Sequence, residues 1–246
     1  MKILRFPALR PANPLLAQRI ASLPYDVMDT AEARRMAEGN PDCFLRVVRS
    51  EVALPSDTDP HADIVYAKAS ETLAAFRADG RLTQDGTPSI YIYRQTMGAH
   101  RQTAVVACCP IDDYANGTIL RHEKTRKDKE DDRTRHILET RAHTGQVFLT
   151  YADDTGIDAL VALEVTKAPL YDFTAVDGIR HTVWKAEGAE NLVAAFERVP
   201  RAYIADGHHR SAASYRAGME MRQRRNRGSE EIEEIARGRV RFLREN

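Results

Sequence analysis

The chain lacks net charge: its 246 residues carry 36 Lys plus Arg against 36 Asp plus Glu. No global basic field therefore exists to gather nucleic acid or coat an acidic membrane. Cysteine is scarce, with three residues of which Cys108 and Cys109 are adjacent. That provides neither a disulfide framework nor a zinc spacing, and it points to a reducing, cytoplasmic setting. Long apolar runs are missing. The longest, Thr103 to Ile111, is about half of what a membrane-spanning helix needs. Pro7 interrupts the N-terminal segment before a signal core forms. No Gly-x-Gly-x-x-Gly, Walker-type or Gly-x-Ser-x-Gly motif occurs, which argues against ordinary dinucleotide, P-loop and hydrolase-elbow sites. Gly and Pro are at average usage, so the chain is neither fibrous nor broadly disordered. A hydrophobic content of 43% suffices for the core of one or at most two domains.

What is present reads as an α+β chain with a mixed sheet and flanking helices. Pro7, Pro11, Pro14 and Pro24 predict extended chain and turns, with a short helix over Leu15–Ile20. Thr30 as a cap and Gly39-Asn40-Pro41 as a stop bound a helix over Thr30–Glu38. Ile64, Val65, Ala69, Leu73 and Phe76 recur at helical spacing within Pro60–Ala78, which Asp79-Gly80 ends. Ser89–Thr96 and Thr103–Cys109 predict a hairpin, and so do Leu170–Ala175 and Arg180–Ala186 around Asp177-Gly178. Further helices are expected over Asp131–Ala142, Ala189–Arg198 and Ser211–Ala217, the last ending at Gly218. Further strands are expected over Gln146–Tyr151 and, as a buried one, Arg201–Ala205. Residues 219–246 are rich in Arg and Glu and read as a separate tail, either one solvated helix (Ser229–Asn246) or disordered. The division is thus one unit over 1–218 and a tail over 219–246.

Three segments could carry chemistry. Asp206-Gly207-His208-His209-Arg210 falls between a strand and a helix. Glycine there permits a sharp turn and close backbone approach, and the following helix offers free N–H groups and the positive end of its dipole. That combination suits a phosphate. Arg210 would grip phosphate oxygens, with His208 and His209 as further donors. Asp206 would hold a hydroxyl or a magnesium ion, or simply cap the helix. In the plain alternative Gly207 turns the chain and both histidines are surface residues. A metal held by the histidine pair is a third option. The second segment runs from Arg121-His122-Glu123-Lys124-Thr125-Arg126 to Asp131-Asp132-Arg133. It is either a solvated helix face or a carboxylate base, Glu123, among cations that offset phosphate charge. The third, Ser22-Leu23-Pro24-Tyr25-Asp26-Val27, is either a substrate loop through Tyr25 and Asp26 or an ordinary turn. Cys108 and Cys109 lie in an apolar strand and read as core.

The ordered set of motifs resembles the domain-of-unknown-function family 1015, whose members are sometimes labelled ParB-like. These motifs are Ser-x-Pro-Tyr-Asp-Val, Thr-Asp-Pro-His, Tyr-Arg-Gln-Thr, His-Glu-Lys-Thr, Tyr-Asp-Phe-Thr, His-Thr-Val-Trp and Ala-Asp-Gly-His-His-Arg. The resemblance covers roughly residues 1–218. A partial likeness connects His122-Glu123 and Asp206–Arg210 to the free serine kinases of the ParB/sulfiredoxin-like fold. It implies such a core with an N-terminal extension, a catalytic base at Glu123 beside His122, and a phosphate loop at Asp206–Arg210. Tyr25, Asp26, Lys124 and Arg126 would face the substrate. The implied reaction is phosphoryl transfer from ATP or ADP, with Mg2+, to a small hydroxyl compound such as L-serine. A sulfiredoxin nucleophile is lacking, because His208 stands where those proteins carry cysteine. The alternative is a non-catalytic, ParB-like nucleotide-binding or DNA-associated regulator. Family members usually continue beyond the phosphate loop, so a truncated or frame-shifted gene, yielding an inactive fragment, is a further expectation.

Overall fold

The computed structural model of the chain describes residues 1–226 and the strand 239–243. In chain order the elements are β1 (Leu9–Pro11), α1 (Pro14–Ile20), α2 (Thr30–Ala37), α3 (Leu45–Val48), α4 (Asp63–Ala78), β2 (Leu82–Gln84), β3 (Tyr91–Met97) and β4 (His100–Pro110). Then come α5 (Ile111–Ala115), β5 (Ile119–Leu120), α6 (Lys127–Thr140), β6 (Val147–Thr150), α7 (Thr155–Glu164), β7 (Tyr171–Thr174), β8 (Arg180–Lys185), α8 (Ala189–Phe196), β9 (Ala202–Asp206), α9 (His208–Asn226) and β10 (Arg239–Leu243). This is an α+β fold. Eight strands form one mixed sheet in the order β5-β9-β6-β10-β4-β3-β8-β7, and β1 pairs with β2 apart from it. β10 runs antiparallel to β4 and parallel to β6, and β9 runs antiparallel to β6. No described helix is long and apolar enough to cross a membrane.

The period of two along β4 sends Val105, Ala107 and Cys109 to one face and Val106 and Cys108 to the other. The first face packs against Ile157 and Val161 of α7 and Leu192 and Phe196 of α8. On the second face Phe6 and Ala8 join Tyr91. Both cysteines are buried and free of disulfides, and burial pushes the Cys109 thiol well above its ordinary range. They are core residues, as expected. The helical layer of α1–α4 has its own apolar centre, in which Leu73 and Phe76 of α4 meet Ile20 and Val47. Each fully buried side chain of this kind contributes about 1.5–3 kcal/mol. Buried Glu164 ends α7 and accepts the backbone N–H groups of Glu187 (3.0 Å) and Gly188 (2.9 Å), fixing the start of α8.

Several expectations need correction. Asp29, not Thr30, caps α2, through a reciprocal capping box with Glu32. Ile64 is exposed, because the buried stripe of α4 begins at Val65. α4 itself begins at Asp63, and α6 begins four residues earlier than Asp131. β9 is half-buried rather than buried, with Tyr203 turned to solvent. Gly218 does not end α9. The helix runs through it to Asn226, and Gly218 lets Ile111 approach so closely that an added Cβ would lie 2.6 Å from its Cδ1. The separation of a tail at residue 219 therefore cuts a continuous helix. A helix over Ser229–Asn246 does not form as drawn, since 239–243 are β10, whose charged–apolar alternation suits a strand. The rest of that expectation, over 229–238 and 244–246, lies outside the described residues. α7 was not expected at all.

Candidate functional site

Asp206 is the C-terminal end of β9, and Gly207 makes the turn into α9 at φ +89°. That backbone is strained for any residue with a Cβ. Space is tight there as well, since an added Cβ would sit 3.2 Å from Cζ and Nε of Arg210. The Arg210 side chain folds back beneath the turn. It donates to the Gln146 carbonyl, to Asp206 Oδ2 (2.6 Å) and to Asp26 Oδ2 (3.4 Å). Its Nε is buried with no hydrogen-bond partner among the described residues. Arg210 therefore braces three segments and keeps one donor free.

α9 begins at His208, and its first N–H groups have no intrahelical partner. Beneath them His208 is nearly buried, at 5% exposure, and its Nε2 has no hydrogen-bond partner among the described residues. The hydroxyl of buried Ser211, one turn on, lacks a partner as well. Such groups are costly to leave unpaired, so a helix N-terminus lined by two of them is prepared for a polar ligand. His208 Nδ1 lies 3.5 Å from Glu123 Oε2, and the rings of His122 and His208 meet edge-on at 4.5 Å. Burial, and then His122, lower the His208 pKa against the pull of Glu123 and Asp206, so the ring is neutral at neutral pH.

The structure thus brings His122, Glu123 and His208 together, with Glu123 exposed on the loop between β5 and α6. His209 plays a different part. Its Nε2 accepts the Arg126 backbone N–H at 3.1 Å, which ties the start of α9 to the start of α6. Two helix N-termini, each carrying partial positive charge, are held side by side. The Arg126 side chain is exposed and paired with Asp128 at 2.7 Å. Lys124 is exposed and in no ion pair among the described residues. Asp26 reaches Arg210, whereas Tyr25 lies under the Arg133 guanidinium, 4.1 Å from its ring centre. No cluster of three or more His, Cys, Asp or Glu suited to a metal occurs among the described residues.

A family model for proteins of unknown function, DUF1015, matches residues 3–238, which includes all three loops. The chain belongs to the DUF1015 family. Among curated proteins nothing matches it, and no solved structure does so.

In this DUF1015 protein the sequence reading missed Ser211 and Gln146. Ser211 could have been found, since it continues the stripe begun at His208. Gln146 acts through its carbonyl, which no side-chain pattern reports. Beyond Arg210 opens a cavity of about 530 Å³ between residues 20–25, α6, residues 142–146 and α9. Chemically, the centre combines an exposed carboxylate, an imidazole 3.5 Å from it, and the N–H groups at the start of α9.

Proposed function

We propose that this DUF1015 protein is a nucleotide-dependent small-molecule kinase with a ParB-like core, working in the cytoplasm. The observation that carries the reading is a pair of buried groups without a hydrogen-bond partner among the described residues, His208 Nε2 and Ser211 Oγ, beneath the N–H groups at the start of α9 and beside Glu123. Terminal phosphate oxygens of ATP or ADP would lie on Gly207, His208 and Ser211, supported by His209 and Arg210. The acceptor hydroxyl, in L-serine or a similar compound, would give its proton to Glu123 as its oxygen bonds the terminal phosphorus. The bond from that phosphorus to the bridging oxygen breaks, and the shortened nucleotide leaves. Magnesium commonly takes one or two carboxylates together with phosphates. Asp206 and Asp26, which flank Arg210, suit that habit and would hold it to offset phosphate charge. Lys124 and Arg126 stand where they would steer anions.

The test is titration calorimetry with Mg-ATP and Mg-ADP, followed by a phosphate-transfer screen with serine first. His208→Ala is expected to weaken nucleotide binding at least tenfold. Glu123→Gln is expected to bind normally and lose about 10²–10⁴ in turnover. Folded wild-type protein that binds neither nucleotide refutes the reading. Binding without transfer to any acceptor replaces it with a non-catalytic regulator.

A further inference from the structure

The cavity beyond Arg210 is a second place with the shape of a binding site. Its volume of about 530 Å³ lies within the range of small-molecule pockets. It is separate from the phosphate centre. The α9 residues lining it, Arg210, Ser214, Ala217, Gly218 and Met221, form one stripe of that helix, and neither His208, Ser211 nor Glu123 is among them. Arg210 belongs to both places, and so does Gln146, whose carbonyl holds it.

Its chemistry is one-sided. Ile20, Phe44, Leu73 and Leu82 give it an apolar wall, and no Asp or Glu lines it among the described residues. Four arginines do: Arg77, Arg133, Arg141 and Arg210. Arg133 and Arg210 are 12% and 13% exposed and are paired outside the lining, with Asp132 and Asp206. Arg77 and Arg141 form no ion pair among the described residues. The hydroxyl of Tyr25, also in the lining, makes no hydrogen bond among them either. Arg141 has a further peculiarity. It is the one non-glycine described residue with positive φ, at 51°. Glycine would cap α6 there more cheaply, so the arginine side chain is kept against a backbone preference.

We infer that this cavity is a binding site for a small organic carboxylate with an apolar body, its charge met by Arg141 and the neighbouring arginines and its body by the apolar wall. A neutral compound of the same shape would leave the cations unanswered. A cationic one would be repelled. The site goes beyond the proposed transfer reaction and does not depend on it.

The test titrates the full chain with straight-chain carboxylates from butanoate to decanoate, below their micelle concentrations, beside the matching primary alcohols. Affinity is expected to rise with chain length to a plateau, and each longer carboxylate should bind at least tenfold more tightly than its alcohol. Arg141→Gly relaxes the backbone, so it is expected to keep or raise the Tm while weakening carboxylate binding at least fivefold. Ala21→Trp places a large ring at an exposed position of the lining and is expected to abolish carboxylate binding while leaving Mg-ATP titration as in wild type. The proposal is overturned by equal binding of alcohols and carboxylates, by no saturable binding to folded wild type, or by full affinity in Ala21→Trp. Unchanged affinity in Arg141→Gly overturns the assignment of the charge to that residue. Failure of the nucleotide titrations alone would leave this site standing.

Discussion

Replacing Gly207 with alanine tests how the phosphate loop is built. At φ +89° the Cβ meets its own backbone, a cost of about 1–2 kcal/mol. The new methyl would also lie 3.2 Å from Arg210 Cζ and Nε and 3.4 Å from Val147 Cα. A loose arginine would swing away at little cost. This one is held by Gln146, Asp206 and Asp26, so its bonds must lengthen, adding roughly 1 kcal/mol or somewhat more. Gly39 is the control: at φ +68° it has nothing within 4 Å of an added Cβ, so Gly39→Ala carries the backbone cost alone. In urea unfolding, Gly207→Ala should lose about 2–3 kcal/mol and Gly39→Ala about 1–2. At about 2–4 °C per kcal/mol for a chain of this size, the gap in Tm is a few degrees. Combining Gly207→Ala with Arg210→Ala should remove the excess, because the crowded group is gone. Equal losses in the two glycine variants, or an excess that survives deletion of Arg210, would refute the account of the turn.

Three further outcomes follow from the packing. Burial, and then Arg133, hold the His136 imidazole down to about 4 from 6.5. The unfolded chain takes up its proton first, so stability is complete above about pH 6.5 and falls by about 3 kcal/mol as pH drops toward 4. His136→Gln retains a donor toward the Val47 carbonyl, which His136 Nε2 meets at 2.9 Å. It should flatten that part of the pH-stability curve, and an unchanged slope would remove His136 as its cause. Gly218→Ala drives a methyl against Ile111 Cδ1 and should cost about 1–3 kcal/mol. Ile111→Val removes that atom and should restore much of the loss, as thermal unfolding of the double variant would show. Glu164→Ala leaves the N–H groups of Glu187 and Gly188 without their acceptor and should cost about 2–4 kcal/mol, with amide exchange accelerated at the start of α8.

Local chemistry was legible where a segment carries its own punctuation. The β3–β4 and β7–β8 hairpins and α4 are bounded by turn residues close in sequence, and each was read within a few residues. The loop Asp206–Arg210 was also legible, because a glycine between a strand and a histidine pair is a local signal. What failed depended on distant partners. Gly218 reads as a stop until Ile111 is placed against it. Ile64 reads as core until the helix is given an orientation. β10 owes its place to β4 and β6, on either side of it, and nothing within five residues announces that. At the site, the phosphate-binding role expected of Arg210 missed its use as a brace, because Asp26 and Gln146 are remote in sequence.

Those separations bear on kinetics. The contacts that assemble the centre span 184 residues from Arg210 to Asp26, 83 from Arg126 to His209 and 64 from Arg210 to Gln146. Closing such long loops is entropically costly and comes late, after local hairpins and helices have formed. A centre completed late is absent from most of the folding transition state. A ligand that recognises only the assembled centre then leaves the refolding rate unchanged and slows unfolding. Occupancy of this site would be written in the lifetime of the native state rather than in the speed of reaching it.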